Sequence, residues 1–145
     1  RCSPGEVEKY LGKLSGPLLD RIDLYVEVPP LEYEALSRKS AGESSAEIKR
    51  RVDAARRRQR ERYGPEGPLC NAQLPPALVG KYCALDEAGE KLLRSAFQRM
   101  GLTARSHDRI LRVARTIADL EGEENISAAH LAEAIQYRNT DILKG

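Results

Sequence analysis

Ser15-Gly-Pro-Leu-Leu-Asp-Arg-Ile-Asp-Leu-Tyr-Val-Glu-Val28 reads in two halves. Gly16-Pro17 opens a short helical turn, because proline presets φ for a first helical position. Leu18 and Leu19 supply an apolar anchor, and Asp20-Arg21 then sets two charges where the chain becomes extended. From Ile22 the pattern alternates. Ile22, Leu24, Val26 and Val28 fall on one side, and Asp23, Tyr25 and Glu27 on the other, the signature of a strand with one buried face. Pro29-Pro30 ends it, since proline has no N–H for a ladder. A lone arginine thus stands at the root of a strand, just after a tight turn. A strand needs a partner, and no second convincing strand follows. The chain also begins with Arg1-Cys2, and its sole methionine is Met100. Both features make it read as a piece of something larger.

Upstream, Ser3-Pro4-Gly5-Glu6 forms a capping box, with Val7, Tyr10, Leu11 and Leu14 at helical spacing. Leu31–Leu36 suits a brief helical turn, and the polar stretch Ser37–Ser45 a linker. A second capping box, Ser44–Glu47, opens a helix to about Tyr63 with a narrow seam of Ile48, Val52, Ala55, Gln59 and Tyr63. Gly64-Pro65 stops that helix. Pro75-Pro76 starts a short helix through Tyr82. Ala88, Leu92, Leu93, Ala96, Phe97 and Met100 mark the next, closed by Gly101. Thr103 caps another helix, whose apolar set is Ile110, Leu111, Val113, Ala114, Ile117, Ala118 and Leu120, with Arg105, Asp108, Arg112 and Asp119 assigned to the opposite side. Gly122 closes it, and Ile126-Ser127 begins a last helix carrying Leu131, Ala134 and Ile135. The fold class is therefore mainly α: a bundle of about four helices behind a helix–turn–strand lead-in.

Composition excludes several classes. No apolar run approaches membrane-spanning length and no signal peptide is visible. Cys2, Cys70 and Cys83 are odd in number and irregularly spaced, which argues for a reducing, cytoplasmic setting and against a disulfide framework. Net charge is only +2, but Glu47–Arg62 holds eight Lys and Arg against three acids, so the basicity is local. That helix reads either as a solvated face around a narrow seam or as a ring-interface or nucleic-acid-facing surface.

There is no phosphate-cradling glycine loop. Tyr82–Glu87 resembles the apolar-then-acidic strand end that holds magnesium. It lies between two helices, though, and reads as an ordinary acidic helix start. His107 and His130 lack ligand-spaced partners and read as surface or capping residues, so no metal site is expected. The chain alone does not read as a complete enzyme.

What remains is arginines at element ends, and here the likeness becomes specific. Leu18–Asp23 followed by an alternating segment resembles the end of an AAA+ ATPase core. Ala104–Leu120 resembles the signature of its helical lid, and Glu123–Ile135 the final lid helix. Together with Tyr10-Leu11, Ser15-Gly16-Pro17 and Gln136-Tyr137-Arg138, the chain resembles the magnesium-chelatase-like ComM/YifB family along nearly its whole length.

The resemblance implies residues 1–30 as the end of the ATPase core, 31–45 as linker and 46–145 as the lid domain. It implies that Arg21 is an arginine finger acting on a neighbouring subunit's nucleotide. A guanidinium delivered in trans to the charge that develops in phosphoryl transfer raises the rate by about 10³–10⁵. Read without the family, Arg21 would instead pair with Asp20 or Asp23. Arg105 resembles the sensor-2 arginine, with Arg109 as the second nucleotide-binding candidate. An arginine in a first helical turn opposes the helix dipole, so something else keeps it there. Whether Arg105 would act in cis or in trans stays open.

The parent is expected to use ATP and Mg²⁺, to assemble with identical subunits into a ring, a hexamer by resemblance, and to act on DNA as a branch-migration motor in natural transformation. No membrane is involved in this reading. Lacking Walker A and Walker B, this chain should bind no cofactor and hydrolyse nothing alone. Two other readings stay open: a motor subunit inserting metal into porphyrin, and a non-catalytic helical interaction module.

Overall fold

The computed structural model describes residues 3–13, 15–29 and 42–138. The expected turn at Leu31–Leu36, most of the linker, Leu14 and Cys2 lie outside them. Two short helices come first, α1 (Pro4–Leu11) and the single turn α2 (Gly16–Leu19). The main body is α3 (Ser45–Tyr63), a 3₁₀ turn (Asn71–Gln73), α4 (Pro76–Tyr82), α5 (Glu87–Met100), α6 (Ala104–Glu121) and α7 (Ala128–Gln136).

Local chemistry sets these limits. Ser3 and Glu6 exchange hydrogen bonds in the first capping box, and Ser44 and Glu47 do the same at α3. Each backbone N–H given by the serine holds its glutamate below the usual carboxylate range. Asp86 caps α5 by accepting from the Gly89 N–H at 2.7 Å, as an ordinary helix start does. Gly101 and Gly122 end α5 and α6 in the left-handed region, where only glycine is unstrained. Ser127 caps α7, and the His130 ring returns the bond at Nδ1.

Helix α6 is the hub. It packs on α7, α3, α4 and the 3₁₀ turn. Ile110, Ala114 and Ala118 are fully buried, with Leu131 of α7, Leu93 of α5, Val79 of α4 and Leu74 beside them. Burying side chains of this size contributes about 1.5–3 kcal/mol each, which lets aliphatic residues build a core with one phenylalanine and no tryptophan. Tyr63 meets Tyr82 edge-on at 5.0 Å between ring centres.

Three expectations need correction. Ile22–Val28 is extended but forms no strand, and the described residues contain no sheet, only an isolated bridge from Leu85 to Ile126. Its apolar row faces out: Val26 is 64% and Val28 84% exposed, while Tyr25 is buried. No described segment offers the row a ladder, so the segment is held by Tyr25 instead. In α6, Asp119 is wholly buried and Leu120 is 40% exposed, the reverse of their assignment. A helix covered on two sides buries part of its polar face as well. At the start of the α3 seam, Ile48 and Val52 are exposed, and only Ala55, Gln59 and Tyr63 are buried.

Candidate functional site

The turn after α2 carries Arg21. Its N–H donates to the Leu18 carbonyl at 3.0 Å, continuing the helical turn by one residue, and its side chain is exposed. Neither flanking carboxylate is given to it. Asp20 lies 3.5 Å from Ser106 Oγ and 3.7 Å from the Arg138 guanidinium, and Asp23 pairs with Arg109. Among the described residues no ion pair joins Arg21 to Asp20 or Asp23.

The opposing wall is the start of α6. Thr103 caps it, its Oγ1 accepting from the Ser106 N–H at 3.2 Å. Arg105 sits in the first turn and is exposed. Beside it Ser106 is buried. Arg109, one turn on, is not equivalent to Arg105. Its guanidinium is committed to Asp23, and its buried Nε has no acceptor among the described residues.

The structure therefore brings the Arg21 turn and the first two turns of α6 together. The seam passes through Asp20–Ser106 and Asp23–Arg109, and both Arg21 and Arg105 stay exposed beside it. A cleft of about 420 Å³ opens along the same seam, walled by Leu24, Val113, Ile117 and Tyr137 with Arg109 and Arg112.

One residue at this seam has a role that the sequence did not signal. Arg138 is 5% exposed at the end of α7. It donates to the Ile22 carbonyl and, at 3.1 Å, to Ser106 Oγ, and its guanidinium lies 5.3 Å from the centre of the Tyr25 ring. Tyr25 in turn donates its hydroxyl to the Leu19 carbonyl and its N–H to the Tyr137 carbonyl at 2.8 Å.

A second buried polar cluster ties α3 to α6. Asp119 accepts from Arg62, from Asn71 at 2.9 Å and from Arg115 at 3.2 Å. The bond to Asp119 raises the Arg62 pKa, whereas burial lowers that of Arg115. Arg115 also donates to the carbonyls of Glu123 and Glu124, fixing the α6–α7 loop. Arg58 donates to the Asp119 carbonyl. The arginine-rich helix is thus divided: Arg58 and Arg62 turn inward, Lys49 and Arg51 pair with Asp53 and Glu43, and Arg50, Arg56, Arg57 and Arg60 are exposed.

Exposed guanidiniums such as those of Arg21 and Arg105 can each donate to an oxyanion from outside the chain. Among the described residues no group of three His, Cys, Asp or Glu side chains converges in a way that fits magnesium. No helix among them is long and apolar enough to cross a membrane.

Residues 42–138 match the family model described as magnesium chelatase, subunit ChlI C-terminal, and residues 1–36 match that described as magnesium chelatase, subunit ChlI. The chain is 44% identical over 144 residues to uncharacterized protein YifB of Salmonella typhimurium, covering 99% of this chain and 28% of the relative. It is 42% identical over 139 residues to competence protein ComM of Haemophilus influenzae, covering 95% and 26%. Uncharacterized protein YifB of Escherichia coli is 41% identical over 144 residues, with 99% and 28% covered. The chain thus spans little more than a quarter of the length of these relatives. With a helical body matched along 42–138 and the preceding turn matched along 1–36, the chain belongs to the magnesium-chelatase-like ComM/YifB family.

Proposed function

We propose that this chain is the C-terminal part of a ring-forming AAA+ ATPase that remodels DNA, with Arg21 as the arginine finger and Arg105 as the sensor-2 arginine. The observation that carries the reading is the state of Arg21. It is exposed on a turn closed by bonds to the Leu18 and Leu19 carbonyls, the Leu18 side chain itself being exposed, while the two carboxylates that would have neutralised it are engaged by Arg138 and Arg109. An arginine left unneutralised beside two acids is available to an anion from outside the chain.

ATP supplies the phosphoryl group in this reading, and Arg21 would meet the charge on its transferring oxygens from a neighbouring subunit. Arg105 would bind a terminal phosphate oxygen from the start of α6, where the helix N-terminus also favours an anion. Arg109 remains the second nucleotide-binding candidate in this reading, with one guanidinium nitrogen already bonded to Asp23. The phosphate loop and the magnesium-binding acid would come from the rest of the protein. Identical subunits in a hexameric ring, a cytoplasmic location and DNA as the substrate belong to the same proposal. The ComM relative's name favours competence over porphyrin chemistry.

The test is the full-length protein with Arg21→Ala. The expected loss in kcat is about 10³-fold or more, and mixing this variant with an ATPase-dead subunit that keeps Arg21 should restore turnover in the ring. Unchanged hydrolysis by Arg21→Ala would leave a helical interaction module. Stimulation of hydrolysis by DNA, and not by a chelatase partner, separates the DNA motor from a metal-inserting one.

A further inference from the structure

We propose that Arg138 is a positioning residue that locks the turn bearing Arg21 to the helix start bearing Arg105, so that finger and sensor move as one unit. The proposal rests on the reading of Arg21 as a finger. Four observations meet at this one side chain. One guanidinium arm donates to the Ile22 carbonyl, the residue immediately after Arg21. The other donates to Ser106 Oγ at 3.1 Å, the residue immediately after Arg105. Asp20, immediately before Arg21, faces the same arm at 3.7 Å and Ser106 Oγ at 3.5 Å. The guanidinium plane is backed by the Tyr25 ring, whose hydroxyl closes the end of α2 at Leu19.

A single fork therefore touches both sides of Arg21 and the neighbour of Arg105. Arg138 is nine-tenths buried, and its Nε has no partner among the described residues. Burying an arginine this far is costly unless it is satisfied. The groups that satisfy it all belong to the finger turn, the segment that follows it or the sensor helix. Asp23–Arg109 is a second, more exposed strut across the same seam. A catalytic arginine must hold its place to within about half an ångström, and a four-residue helix followed by a segment without a ladder cannot supply that alone. The lock also gives a route by which rotation of the lid would displace the finger in the same step.

The experiment uses the full-length protein with Arg138→Gln, Arg138→Lys and the milder Asp20→Asn. Hydrogen exchange is followed at the amides of Arg21, Ile22 and Tyr25, whose acceptors are Leu18, Leu19 and Tyr137. Steady-state ATP hydrolysis is measured alone and in combination with Arg21→Ala. The expected result is faster exchange confined to residues 18–25, with α3 and α6 as protected as before. It is joined by a kcat loss of at least tenfold at unchanged KM. Arg138→Lys fails to rescue, because a point charge cannot bridge Ile22 and Ser106 together. Adding any of the three changes to Arg21→Ala costs nothing more, because the lock acts only through the finger. Unchanged exchange at residues 18–25 overturns the lock. Faster exchange with normal kcat, while Arg21→Ala is slow, overturns the positioning role but leaves the finger standing. Normal kcat in Arg21→Ala overturns the finger and the positioning role with it. Exchange that rises throughout α3 and α6 marks a stability effect and counts against the proposal, unless Asp20→Asn reproduces the confined pattern.

Discussion

Asp119 shows how much one buried carboxylate can carry. Its oxygens receive Arg62, Arg115 and Asn71, so removing it strands two cations and an amide in the helical body. Asp119→Ala should cost about 3–5 kcal/mol in denaturant unfolding of the protein. Asp119→Asn should cost less, because an amide still accepts. A loss below about 1 kcal/mol for the alanine variant would mean the cluster contributes no net stability. The two described thiols make a second contrast. Burial pushes the Cys83 thiol up to about 11, whereas Cys70 is partly exposed and its thiol lies below its ordinary range, its burial being outweighed by hydrogen bonds from Arg56 and from the Gln73 and Ala72 backbone. Alkylation of the folded protein near pH 8 should therefore label Cys70 and spare Cys83, as read by mass spectrometry of the peptides. The sign of the stability effect follows from the raised value. Above about 9 the unfolded Cys83 ionises while the folded one stays protonated, so stability falls as pH rises from about 9 to 11. Cys83→Ala should remove the thiol's share of that slope and leave the part due to Tyr63, whose pKa burial also raises. Asp119 was misassigned because a helical wheel supposes one buried stripe, and nothing in the spacing of α6 announces that Arg62, 57 residues earlier, covers the other side.

Elements begin and end where short-range chemistry says they should. Ser3 with Glu6, Ser44 with Glu47, Thr103 and Ser127 at starts, and Gly64, Gly101 and Gly122 at stops, all act as read, because a cap needs only residues within one turn. Two glycines should respond in opposite ways. Gly80 lies exposed inside α4 with open space where a Cβ would go, so Gly80→Ala should stabilise by about 0.5–1 kcal/mol. Gly122 has φ +87°, and a Cβ there would meet the Arg58 guanidinium at 2.9 Å. Gly122→Ala should cost about 1–2 kcal/mol in thermal or denaturant unfolding, and more if Arg58 loses its bond to the Asp119 carbonyl. Equal effects at the two positions would show that backbone conformation is not what limits the α6 terminus. The segment Ile22–Val28 is the element that was misread. Alternation reports which residues share a side, but a strand exists only where a neighbouring ladder is present. Here the described chain offers no ladder, only the backbone bonds from Ile22 to Leu19 and from Tyr25 to Tyr137, the Arg138 bond to the Ile22 carbonyl and the Tyr25 hydroxyl.

At the scale of the whole molecule, the described residues make one helical body with a turn docked on it, and the catalytic proposal concerns that turn. The chain by itself should show no magnesium-dependent ATP hydrolysis in a phosphate-release assay. Turnover abolished by Arg105→Ala would overturn that expectation. The row Ile22, Leu24, Val26 and Val28 is exposed on this body, which is an unfavourable surface for an isolated piece and suits a longer protein such as its relatives. Family membership, helix limits and the candidacy of Arg21, Arg105 and Arg109 were all legible in the order of residues, since each rests on motifs or on contacts within a turn. The sorting of those arginines was not. That Asp23 takes Arg109, that Asp20 turns to Ser106 and Arg138, and that Arg21 is left unneutralised are facts about residues some 86 to 118 positions apart. Charge pairing of this kind depends on distance in space, and only the docking of the α2 turn against α6 and α7 decides which cation is consumed and which remains available.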